Sequence, residues 1–283
     1  MFTFFFVVIG LGWAFSYALN NPSILYVAVI FALIMNVGSF WYSDKLVLAT
    51  AGAKRVEEKS QAPDVWNVVE NLAITAGIPM PALYIINDPA PNAFATGRDP
   101  QHAAVAVTGG LLQMMNRTEL EGVIAHELSH IGNRDTLLMM VVAVLLGFVV
   151  MLSDFFIRTS MWGGGRSRDE GGQLRIIMML VGFALAIFAP IFAQLIQLAI
   201  SRRREFLADA DGALLTRYPE GLASALEKIQ AYGHPMIHAN RATAHLYIES
   251  PFGGDETKTS WFARLFMTHP PVEERVEALL GTK

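Results

Sequence analysis

Residues 118–136 read TELEGVIAHELSHIGNRDT, and the sixteen that follow, LLMMVVAVLLGFVVML, form an uninterrupted apolar run. His126 and His130 stand four apart, with Glu127 beside the first. On a helix, residues i and i+4 stack on one face, so both imidazoles can reach one zinc ion. Glu127 is then placed to polarise a water on that ion and take its proton. Thr118 and Glu121 have the T-x-x-E form of a capping box, which starts the helix near Glu119. An amphipathic helix whose histidines merely hydrogen-bond in a core has the same spacing, so a third ligand elsewhere has to decide.

Composition says where such a site sits. Of the 283 residues, 53% are hydrophobic and only 16% charged, against about 25% charged in soluble domains. The shortfall is concentrated in four runs, residues 2–19, 24–41, 137–152 and 176–200. About 20 apolar residues cross a hydrocarbon core of roughly 30 Å. Asn20, Asn21 and Pro22 make the first two runs a tight hairpin. The first run has neither a basic leader nor a small-residue cleavage site, which favours a retained span over a signal peptide. Pro190 marks a kink in the fourth run, where Gln194, Gln197, Ser201 and Glu205 share a face turned toward protein. The absence of cysteine excludes thiolate ligands and disulfides. A net charge of −4 with no long Lys/Arg tract speaks against nucleic acid as a partner.

Lysine and arginine set the orientation. Lys45, Lys54, Arg55, Lys59, Arg134, Arg202, Arg203 and Arg204 lie on one side, and Arg158, Arg166, Arg168 and Arg175 on the other. The richer side faces the cytoplasm, with both termini. The chain therefore divides into a transmembrane hairpin (1–42), a first catalytic part with the HExxH helix (43–135), a second transmembrane pair (136–200) and a second catalytic part (201–283). Between the last two runs, residues 158–175 read as a flexible Gly- and Arg-rich loop. In the first catalytic part, 62–75 has helical periodicity, 83–86 and 103–107 read as strands, and the loop between them holds room for one more. The second part reads as helices over 201–216 and 219–232, an irregular stretch, and a short helix from about Pro270 and Pro271. The fold class is mainly α with a small β-sheet: four membrane helices plus a domain built around the candidate zinc site.

The third ligand is Glu205, in SRRREFLADADGA. A catalytic zinc takes three protein ligands and keeps one position open, and His₂Glu is a known set. Asp209, four residues on, shares the face of Glu205 and is placed to accept an N–H from a ligating histidine, fixing its tautomer. Taken alone, this pair is equally a solvated helix face, with the three arginines as counterions. Spacing favours the ligand. His130 stands about seven residues, roughly 10 Å of helix, before the third run, and Glu205 about five residues, roughly 7–8 Å, after the fourth. Two intervening spans return the chain to the same side, at a similar height above the bilayer.

HELSH followed by EFLAD, with PNAFATG upstream and THPPVEER near the end, resembles the HtpX-type membrane zinc metalloproteases, gluzincins related to the prenyl-protein endopeptidases. The resemblance covers essentially the whole chain. It implies an endopeptidase with one Zn²⁺ per chain, which degrades misfolded or damaged membrane proteins at the cytoplasmic face of the inner (plasma) membrane. It implies His126, His130 and Glu205 as ligands and Glu127 as general base and acid. It also sets Asn92, Ala93, Phe94 and Ala95 beside the cleft as a strand that pairs with extended substrate, His269 as a stabiliser of the oxyanion, and Arg275 in the substrate-binding set. Two other roles stay open: Asn92 as a turn residue after Pro91, and His269 as an exposed histidine at a helix start.

His234, His238 and His245 suggest a second metal site, but Pro235 disrupts a simple i, i+4 pairing. His102, beside a strand, reads as structural. Two rival functions remain. One is a CAAX-type processing peptidase, which in the related family goes with a large chamber that four spans are too few to build. The other is a metal-binding transporter or scaffold without hydrolysis, which residues such as Gln194 and Gln197 would suit.

Overall fold

The computed structural model describes residues 22–137, 202–240, 243–253 and 269–281, with a few single positions besides. The first, third and fourth apolar runs and the 158–175 loop lie, single positions apart, outside them. The second run belongs to helix α1 (Ser23–Thr50), in which eight side chains between 24 and 40 also fall outside the described set. Among the described residues no helix is long and apolar enough to cross a membrane. The four spans thus stay an expectation from sequence.

The rest is mainly helical, with one four-stranded sheet. In chain order the elements are β1 (Ala53–Arg55), α2 (Pro63–Ala76), β2 (Ala82–Ile86), β3 (Ala93–Gly97), β4 (Ala103–Thr108), α3 (Gly109–Met114), α4 (Arg117–Gly132), α5 (Arg202–Thr216), α6 (Pro219–Tyr232) and α7 (Val272–Leu280). Strand order is β1-β2-β4-β3, with β2 and β4 parallel and the outer pairs antiparallel. Proline at its first position and Gly77 in a left-handed C-cap (φ 67°) delimit α2.

Both faces of the sheet are covered, which explains strands so rich in alanine. Leu83, Ala93, Ala95, Val105 and Val107 face the core built with α2, α4 and α6. Ala104, Ala106 and Phe94 face a second core made with Val47, Leu48, Ala51, Met236, Leu246 and Tyr247. Alanine is a poor strand former by preference, but what decides is fit between close-packed layers. The end of α1 supplies Val47 and Leu48, and its C-cap supplies Ala51. The helix therefore runs on past the boundary expected at Ser43 and ties the second apolar run to the sheet.

The start of α4 differs from the expected capping box. The cap is Asn116: its Oδ1 accepts the Glu119 N–H (3.0 Å), and the Glu119 carboxylate accepts the Asn116 N–H (2.9 Å). Thr118 lies inside the first turn. Asparagine caps at least as well as threonine, and this register turns Glu119 toward α6, where Ser224 and Lys228 each donate to it at 2.7 Å. Glu121 instead pairs with Arg117 on the surface.

Candidate metal centre

Helix α4 brings His126 and His130 to one face, with both rings buried. Helix α5 crosses it closely because Gly212 leaves room: a Cβ there would stand 3.0 Å from the backbone nitrogen of His126. Glu205, Asp209 and Gly212 form one stripe of α5, so this approach carries both carboxylates onto the histidines. His126 Nε2 and His130 Nε2 are 3.2 Å apart. Glu205 Oε1 is 3.5 Å from His130 Nε2, and Oε2 is 3.8 Å from His126 Nε2. Among the described residues, these three side chains alone form a cluster able to hold a metal ion.

The other ring nitrogens explain the orientation. His126 Nδ1 lies 2.9 Å from Asp209 Oδ1, and His130 Nδ1 lies 3.3 Å from Asp135 Oδ2. A carboxylate can only accept, so each Nδ1 carries the proton and each Nε2 presents a lone pair. Two lone pairs facing each other at 3.2 Å repel unless a cation lies between them. Four ligands at about 2.0–2.1 Å around a tetrahedral ion are separated by roughly 3.3 Å, close to the distances found. Glu205 Oε1 is buried and has no hydrogen-bond partner among the described residues. The donor set fits a divalent metal of the zinc type.

Charge around the site is nearly all paired. Arg275, fully buried, donates to Asp209 through Nε (2.9 Å) and Nη2 (2.7 Å). Its Nη1 donates to the Ile248 carbonyl (3.2 Å). Burial opposes ionisation of Asp209, but Arg275 and His126 outweigh it and hold the carboxyl down at about 2. Glu205 is likewise held well below the usual carboxylate range, burial being outweighed by His269, His130 and Arg275. His269 Nδ1 sits 2.8 Å from Glu205 Oε2, and Nε2 is buried without a hydrogen-bond partner among the described residues. Burial lowers the His126 imidazole to about 4, which keeps it neutral as a ligand must be. Glu127 goes the other way. Burial, together with the Glu205 charge, raises its carboxyl to about 7, against His130, His269 and a hydrogen bond from the Ala95 backbone.

The sequence reading did not single out Asp135. It follows His130 by five residues, and a left-handed backbone at Arg134 (φ 59°) turns it back onto the imidazole. Arg204 pairs with its other oxygen. The motif letters HELSHIGNRD contain this aspartate, but only the turn makes it a neighbour. Residues Ala93–Gly97 form an edge strand, β3, with Asn92 just before it. Its outer edge bridges to Tyr247, however, and Ala93 accepts from Ile248 N–H at 2.9 Å. Asn92 is a clamp as well as a turn residue: its Oδ1 accepts from Ala93 N–H, and its Nδ2 donates to the Glu249 carbonyl at 2.9 Å. His269 is buried rather than exposed. His234 and His238 are exposed and His245 buried, and none joins a metal cluster among the described residues. Asp99 caps the short turn that ends at His102, accepting its backbone N–H (2.9 Å) with the ring Nδ1 at 2.7 Å.

Comparison with known proteins agrees with this geometry. Residues 59–283 match peptidase family M48. A protease HtpX homolog of Caldanaerobacter subterraneus subsp. tengcongensis is 50% identical over 94% of this chain and 86% of its own. Another, from Pyrococcus furiosus, is 46% identical over 96% of this chain and 90% of its own. The crystal structure of S. mikatae Ste24p shares the fold at a TM-score of 0.56 and 18% identity, covering 96% of this chain, which spans 61% of Ste24p. The chain thus belongs to peptidase family M48 as an HtpX-type metallopeptidase.

Proposed function

We propose that the protein is an integral-membrane, zinc-dependent endopeptidase that cleaves misfolded or damaged membrane proteins from the cytoplasmic side. The observation that carries this reading is the convergence of His126 Nε2, His130 Nε2 and Glu205 Oε1 beside a buried carboxyl at Glu127. His126, His130 and Glu205 hold one zinc, and Asp209 and Asp135 hold the two imidazoles in the ligating tautomer. The zinc supplies Lewis acidity toward the scissile carbonyl and the attacking water.

Glu127 removes a proton from that water as its oxygen bonds to the carbonyl carbon, then gives the proton to the amine nitrogen as the C–N bond breaks. A carboxyl near neutral serves both steps. His269 presents Nε2 to the oxygen that gains negative charge. Arg275 and the 92–95 stretch bind substrate backbone.

Membrane insertion is supported by α1. Tyr26, Val27, Ile30, Leu33, Ile34, Trp41, Tyr42 and Leu46 are each at least half exposed along one helix, a surface that water does not tolerate in a monomer of ordinary composition. Trp41 and Tyr42 end the run as interfacial aromatics do, and the Arg98 guanidinium lies 4.7 Å from the Trp41 ring centre. Runs 2–19, 137–152 and 176–200 supply the other three spans. The deciding experiment is Glu127→Gln in the full chain. It should keep one zinc and lose cleavage of an unfolded membrane substrate; a variant that still cleaves removes Glu127 from the chemistry.

A further inference from the structure

We infer that residues 246–249 are a built-in stand-in for substrate, and that an extended apolar segment must displace them to reach Glu127. This rests on the protease reading of the site and adds its regulation. Residues assigned to substrate backbone already hold backbone of this chain. Ala93 takes the Ile248 N–H (2.9 Å), and Arg275 donates to the Ile248 carbonyl (3.2 Å). The Asn92 amide donates to the Glu249 carbonyl (2.9 Å), and its Oδ1 faces the Glu249 N–H (3.4 Å). Four contacts to the backbone of two consecutive residues recognise a strand, whatever its side chains.

The outward-facing carbonyls at both ends of β3 are engaged. Phe94 bridges antiparallel to Tyr247 beside the Ala93 carbonyl, and the Gly97 carbonyl accepts from Thr136 (2.9 Å). An edge in this state offers little to a second strand. The occupant is also anchored by its side chains. Leu246 and Tyr247 are buried in the core behind the sheet, Ile248 in the core in front, and Tyr247 meets Phe94 edge-to-face at 4.9 Å. A competitor therefore has to bring large apolar side chains of its own, as an unfolded segment of a membrane or core strand does. A folded or polar surface does not. Selectivity for damaged protein then comes from competition with an internal strand, with no recognition of a particular sequence.

Two measurements test this in the full-length zinc protein. The chain has no native cysteine, so Phe94→Cys with Tyr247→Cys, at the bridged pair, creates a single switchable cross-link. Oxidation should lower cleavage of unfolded casein at least tenfold with zinc content unchanged, and reduction should restore it. Equal rates in the two states overturn the inference while leaving the protease intact. Should the reduced variant not cleave at all, amide exchange on the native sequence decides. Binding of a phosphinic pseudopeptide with apolar flanks should strip protection from the Ile248 N–H, and unchanged or greater protection overturns the inference. Failure of the native chain to cleave casein when zinc-loaded is a different result, and it counts against the protease reading.

Discussion

Asp209 Oδ1 stands 2.9 Å from His126 Nδ1, while the same carboxylate receives two donors from Arg275. One buried aspartate thus links the HExxH helix to α5 and α7, and it holds the imidazole so that Nε2 points at His130 and Glu205. Asp209→Asn keeps the shape but offers an amide that can be flipped to donate. Zinc affinity should fall about 10–100-fold, read by competition with a calibrated chelator. Unchanged affinity and turnover would remove Asp209 from the site.

Asp135 does for His130 what Asp209 does for His126, at 3.3 Å. Its partner Arg204 has a side chain 43% exposed, whereas Asp135 is buried. Asp135→Asn should therefore speed zinc loss to chelator by roughly tenfold or more. Arg204→Gln should have a smaller effect, since water can replace the guanidinium. Equal effects would mean that the arginine, not the aspartate, orients the ring.

Arg275 is the largest fully buried side chain among the described residues. Arg275→Met leaves Asp209 charged, buried and without its cation, a loss of about 3–5 kcal/mol for a broken buried pair. Unfolding of the metal-free chain in detergent should show it, independent of zinc. A change below about 1 kcal/mol would mean that water reaches Asp209 and the pair is not sealed.

Glu119 joins α4 to α6 through Ser224 and Lys228. Burial disfavours its charge, but the bonds from Lys228, Ser224 and Asn116, with the Lys228 charge, outweigh burial and depress its pKa. A folded-state value below the unfolded one gives stability that is complete above the unfolded pKa, about 4.3, and is lost as pH falls through the folded value. Glu119→Gln should thus cost about 1–3 kcal/mol at pH 7, and the deficit should shrink below about pH 4. Chemical unfolding at pH 7 and at about pH 3 checks this, and a deficit that does not change with pH contradicts it.

Much of the centre was legible from spacing, because His126/His130 and Glu205/Asp209 are i, i+4 pairs and helices translate that spacing into a shared face. Strand β3 was half visible, since PNAFATGRDPQH is rich in turn residues and only burial shows that its centre is a strand. The start of α4 was misjudged by two residues because Asn116 and Thr118 both satisfy the capping pattern, and only α6 decides which glutamate turns inward. Asp135 depends on one left-handed residue, Arg134, that no preference announces. The hold of Arg275 on residue 248 and of Asn92 on residue 249 joins positions 27 and 157 apart in sequence, and local pattern carries no trace of it.

The central claim is that two α4 imidazoles and one α5 carboxylate share a single zinc. X-ray diffraction at the zinc absorption edge on the full-length protein tests it most directly. The account predicts one anomalous peak per chain, about 2.0–2.1 Å from His126 Nε2 and His130 Nε2 and about 2.0–2.2 Å from a Glu205 oxygen. A peak at another site, or one whose neighbours exclude Glu205, would contradict it.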